Sequence, residues 1–106
     1  MLWNELQLKG KIANIEKCVG EYNIWELEKT PYAKFKVKIY VNTHSWYTGY
    51  TNLQVKDEMG DCYCAVGHGE TEAEALEDTM QQFFKMLKRK ETWEESDFCF
   101  SDNFDF

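Results

Sequence analysis

Apolar and polar residues alternate most cleanly over residues 34–41, with Phe35, Val37, Ile39 and Val41 on one side and Lys34, Lys36, Lys38 and Tyr40 on the other. A period of two, rich in β-branched residues, marks a half-buried antiparallel strand. Residues 47–56 read as the next strand, with Thr51, Leu53 and Val55 on one face, and residues 62–66 as the last. Asn42-Thr43-His44-Ser45 makes the first connection and Asp57-Glu58-Met59-Gly60-Asp61 the second, a hairpin loop with glycine near its end. Upstream the pattern is less regular. Residues 1–9 fit a helical turn or a strand, and residues 10–18 fit a strand if a bulge near Asn14 reconciles Ile12 with Ile15. Gly20-Glu21 reads as a turn, residues 22–27 as a second strand, and Lys29-Thr30-Pro31 as its end.

After Gly67-His68-Gly69, read as a hinge, the period changes. Thr71-Glu72-Ala73-Glu74 is a capping box, in which the Thr71 hydroxyl and the Glu74 carboxylate satisfy the amides that a helix start leaves unpaired. Leu76, Met80, Phe83 and Leu87 then fall within about 60° on a helical wheel, flanked by Ala73, Thr79 and Phe84. Acids (Glu72, Glu74, Glu77, Asp78) lead and bases (Lys85, Lys88, Arg89, Lys90) follow, the order the helix dipole favours. The expectation is an α+β fold: an antiparallel β-meander of four to five strands, packed by one long C-terminal helix and followed by a tail. Residues 1–90 would form a single domain and residues 91–106 the tail.

Charge sharpens that division. Of the net −7, residues 1–90 carry −1 and residues 91–106 carry −6, with no base among the last sixteen. A chain of 106 residues has room for one core. No apolar run is long enough to span a membrane, and the start lacks the basic and apolar segments of a signal peptide, so a cytoplasmic protein is expected. In that setting Cys18, Cys62, Cys64 and Cys99 are expected to be reduced thiols.

Residues 47–90, and above all the stretch from Asp61-Cys62-Tyr63-Cys64 through Gly67-His68-Gly69 to Glu74-Ala75-Leu76, resemble a strand–glycine–helix junction. Double-stranded-RNA-binding domains have such a junction, as do HicB-type antitoxins, which look like a reduced version of that fold. The antitoxin resemblance implies a small toxin as partner. The RNA-binding family presents lysines in the first turn of this helix. Here Glu70, Glu72, Glu74 and Glu77 stand instead and would repel a phosphate backbone, which disfavours direct nucleic-acid binding.

Candidate chemistry is sparse. Cys62, Cys64 and His68 invite a metal-dependent or thiol enzyme, but structural zinc wants Cys-x₂₋₄-Cys pairs and four ligands, and small residues on a buried strand face explain the cysteines more simply. His44 and His68 lack a nucleophile motif around them. The glycines before the helix lack the rest of a phosphate cradle. No catalytic residue, metal or cofactor is therefore assigned. Lys34, Lys36 and Lys38, ending at Tyr40, form a basic stripe that suits a phosphate backbone, an acidic peptide or the chain's own tail, or that simply deters aggregation.

The tail interleaves Trp93, Phe98, Phe100, Phe104 and Phe106 with Glu94, Glu95, Asp97, Asp102 and Asp105. A purely solvating tail would not carry five large rings. Its Asp-Phe ending is similar to the acidic, phenylalanine-ended tips of single-stranded-DNA-binding proteins, which recruit partner proteins. Either the rings fold back onto the domain or they meet a partner with a basic, partly apolar groove. The second reading makes the chain a non-enzymatic binding module acting on a nucleic-acid-handling protein. Small size and acidity also suit phage or mobile-element inhibitors of the anti-CRISPR kind.

Overall fold

The computed structural model describes residues 14–26, 28–30 and 34–101. Expectations for residues 1–13, and for Pro31, Asp102, Phe104, Asp105 and Phe106, lie outside them. The described elements run β1 (Glu16–Trp25), β2 (Lys34–Asn42), β3 (Tyr47–Lys56), β4 (Cys62–Gly69), α1 (Glu72–Leu87), a 3₁₀ turn (Glu95–Asp97) and β5 (Phe98–Phe100). The first four strands form an antiparallel meander in the order β1-β2-β3-β4, and β5 pairs antiparallel with Leu53–Val55 of β3. The fold is α+β, as the pattern predicts. The helix lies mid-chain rather than at the C-terminus, because a strand follows it.

Three local expectations are corrected. Gly20-Glu21 is not a turn: β1 runs straight through it, and its register against β2 slips between Cys18 and Gly20. A bulge thus sits here, while the one expected near Asn14 involves residues outside those described. Gly67-His68-Gly69 is not a hinge either, since β4 continues to Gly69 and pairs with β3 as far as Tyr47. The capping box is half formed. Thr71 Oγ1 accepts from the Glu74 amide at 3.1 Å, but the Glu74 carboxylate accepts from the amide of Glu70, one residue upstream of the expected donor.

Those glycines explain how the helix seats. Its buried line is Ala75, Thr79, Phe83 and Leu87, with Leu76 and Met80 only partly covered. The expected stripe is therefore rotated towards the small residues. A Cβ on Gly67 would come within 2.1 Å of the Thr79 amide nitrogen, and one on Gly69 within 2.7 Å of the Ala75 nitrogen. Helix and β4 touch backbone to backbone, so only small side chains fit between them and the large ones move to the flanks and the far end. There Phe83 meets Phe35 at 4.6 Å between ring centres. Phe35, Val37, Ile39, Leu53 and Val55 complete the core, each contributing roughly 1.5–3 kcal/mol by leaving water.

The first part of the tail belongs to this core. Trp93 packs against it and Phe98 is buried within it, their rings 5.5 Å apart. The Trp93 indole nitrogen donates to the carbonyls of Leu87 (2.8 Å) and Lys90 (3.1 Å), which satisfies acceptors that the helix end leaves unpaired. Lys90 also ion-pairs with Asp97 at 2.9 Å. Cys99 is disulfide-bonded to Cys62, tying β5 to the start of β4. The expectation of four reduced thiols is thus overturned for this pair. The tail's return brings together two cysteines that lie 37 residues apart, which spacing alone does not reveal. Cys18 and Cys64 remain thiols.

Candidate binding surface on the open face of the sheet

Helix α1 covers one face of the meander, and the alternate residues of each strand point to the other. Along β2 that face carries Lys34, Lys36, Lys38 and Tyr40. Antiparallel pairing sets Trp25 beside Lys34, Glu21 beside Lys38, and Tyr50 on the other flank of Lys38. Lys34 lies over the Trp25 ring at 5.2 Å, a cation–π contact at a ring that is 68% exposed. Lys38 is shared with Glu21 at 3.9 Å. Asn52 accepts from the Lys36 amide at 2.8 Å, so the backbone at the middle of the stripe is fixed by a side chain of the next strand.

Rings cluster at the far end of the stripe. Tyr40 and Tyr50 meet edge to face at 5.9 Å, and Trp46 stacks on His68 at 6.1 Å with 17° between planes. His68 Nδ1 is hydrogen-bonded to Thr48 Oγ1 at 3.1 Å, and its amide donates to Asp78 on the helix at 2.8 Å. That amide and then Gln82, with smaller help from the nearby His68 ring and Lys85, hold the Asp78 carboxyl below its ordinary 3.8 against the opposing effect of burial.

Between these groups β3 departs from regular pairing and opens a hollow. Its register against β4 slips between Tyr50 and Gln54. Thr51 fills the gap: its hydroxyl accepts from the Ala65 amide at 3.0 Å and donates to the Leu53 carbonyl at 2.8 Å. The resulting hollow of about 250 Å³ has Tyr40, Tyr50 and Cys64 among its walls, with Glu16, Gln54 and Ser101 supplying polar groups. Gln54 Nε2 donates to Ser101 Oγ at 2.8 Å, so the segment after β5 forms part of the wall. Burial raises both tyrosines above 10.0, Tyr40 with Cys18 and Glu16 adding to the rise and Tyr50 with Glu16 and Cys64. Both phenols therefore stay protonated at neutral pH. Burial also raises the Cys64 thiol above 9.0, which keeps it protonated and a poor nucleophile.

The residues singled out from sequence are dispersed. Trp93 and Phe98 face inward, Asp97 is engaged by Lys90, Glu94 and Glu95 are exposed, and Phe100 is 45% exposed. Cys62 is in the disulfide, Cys64 lines the hollow, and His44 lies exposed in the β2–β3 turn. Lys34 and Lys36 are exposed, while the carboxylates of Glu70, Glu72, Glu74 and Glu77 belong to the helix layer across the sheet. What sequence reasoning missed is the hollow. Tyr50 and Gln54 alternate with the buried Thr51, Leu53 and Val55, and that pattern marks their face, but a slip in pairing leaves no trace in one strand's composition.

Compared with family models the chain finds no match, and neither curated proteins nor solved structures match it. Among the described residues no group of three or more His, Cys, Asp or Glu is placed to hold a metal ion. No described helix is long and apolar enough to cross a membrane.

Proposed function

We propose that the protein is a non-enzymatic binding module, a small acidic regulator or inhibitor that acts on a nucleic-acid-handling partner with a basic, partly apolar groove. The observation that carries this reading is the way residues 91–100 are held. Two rings, Trp93 and Phe98, anchor the segment to the core, while Glu91, Glu94 and Glu95 stay exposed and Phe100 keeps 45% of its surface in solvent. A fixed backbone bearing acids and a half-exposed ring loses less entropy on binding than a loose tip would. Aromatic anchors beside steering charges are the usual make-up of an interface hot spot.

The test is capture of partners by the full chain and by a triple variant, Glu94→Lys, Glu95→Lys and Phe100→Ala. None of these residues is buried, so the thermal midpoint should move little. The reading expects a nucleic-acid-handling protein to be captured by the wild type and lost with the variant, and the pair to be rebuilt from purified components with at least tenfold weaker binding for the variant. Equal capture by both proteins, with both folded, would remove it.

A further inference from the structure

The open face of the sheet carries a second proposal, independent of the first because it rests on different residues. We propose that this face binds a short single strand of nucleic acid, with one base in the hollow beside Tyr50 and the sugar–phosphate chain along the lysines of β2. The hollow's walls favour a base over the side chain of an aromatic peptide. Tyr40 and Tyr50 offer ring surface, but Gln54 and Ser101, bonded to each other, and Glu16, bonded to Asn14, keep further hydrogen-bonding capacity around it that a phenyl ring would leave unanswered. A nucleobase has both a π-face and polar edges.

The lysines suit the rest of the strand. Same-face residues of a β-strand recur about every 6.6 Å, so Lys34 to Tyr40 spans about 20 Å, a path for several phosphates. Lys34 and Lys36 are exposed along it, and Trp25 beside Lys34 offers a further stacking surface at its end. The overall charge of −7 does not oppose this placement. The glutamates that argue against a phosphate backbone belong to α1 and its approach, on the other side of the sheet. Exposed charges separated by more than about 8 Å are largely screened at physiological salt.

The experiment is fluorescence anisotropy of labelled oligo-dT and oligo-rU, about twelve nucleotides long, titrated with the full chain from about 50 to 200 mM salt. Saturable binding is expected, with an affinity that falls as salt rises. The pair Lys34→Ala and Lys36→Ala should weaken it about tenfold and flatten the log–log salt slope by about 1.4. Tyr50→Ala should weaken it about tenfold with the slope unchanged. Glu74→Gln with Glu77→Gln, on the helix layer, should change affinity less than twofold. Circular dichroism melts confirm that each variant is folded. No binding of either oligonucleotide, or binding that neither face variant weakens, overturns the proposal. So does tighter binding, at the same lysines, of an acidic aromatic peptide such as residues 94–106 supplied in trans.

Discussion

On the inner side of β2, Phe35, Val37 and Ile39 keep no more than 2% of their surface in water, whereas Lys34 and Lys36 on the outer side are exposed. The same contrast holds along β3, where Leu53 and Val55 are buried while Tyr50 and Gln54 line a solvent-facing hollow. One backbone serves both faces. The covered face is built from aliphatic residues, phenylalanine, threonine and glycine and packs to backbone contact at Gly67 and Gly69. The open face is built from lysines, rings and amides and keeps a gap in its pairing. Stability is concentrated on the first face, and the candidate chemistry on the second.

Mutation should separate the two. The largest effect is expected among the core residues of the covered face. Phe83→Ala removes the ring that meets Phe35 and should cost about 3–5 kcal/mol in urea unfolding. Gly67→Ala comes next, because its Cβ would press on helix backbone at 2.1 Å, and backbone cannot swing aside as a side chain can. A loss of about 3 kcal/mol is expected, seen as a lower denaturation midpoint. Thr71→Ala removes the helix N-cap bond to Glu74 and should cost about 1 kcal/mol. On the open face, Lys36→Ala and Tyr50→Ala should change stability by no more than about 0.5 and 1 kcal/mol respectively. Losses there as large as at Phe83 would show that the open face is a second core.

A pH titration adds a smaller effect. The folded Asp78 carboxyl titrates below its ordinary 3.8, held there chiefly by the His68 amide. Its contribution to stability is therefore fully present above about pH 4 and is lost as pH falls through the lowered value. The difference in melting temperature between wild type and Asp78→Asn should be present at pH 6 and shrink in acid. A constant difference would show that the bond to His68 does not depend on the carboxylate's charge.

Much of the covered face was legible in the chain. Alternation over residues 34–41 marks β2 and its two faces, because a half-buried strand must alternate, and Thr71 marks the helix start, because its hydroxyl meets a local need. The helix face lies about 50° from the one that hydropathy predicts, because hydropathy favours Leu76 and Met80 while contact with Gly67 and Gly69 favours Ala75 and Thr79. Gly20 looked like a turn because glycine marks bulges as readily as turns. In the tail, five rings showed that some of them would be buried, but not which: Trp93 and Phe98 turn inward and Phe100 does not.

By itself, the sequence determined the local matters: that β2, β3 and most of β4 are strands, where the helix begins, which side of β2 faces water, and that the negative charge gathers at the end. Neighbours within a few residues decide these. Only the tertiary structure decided the rotation of the helix, the return of Phe98–Phe100 to the sheet, the Cys62–Cys99 bond and the hollow between Tyr50 and Gln54. Each of these depends on groups distant in the chain, such as Gly67 and Thr79, Leu53 and Phe100, or Cys62 and Cys99, meeting at contact distance, and such meetings follow from how whole elements pack.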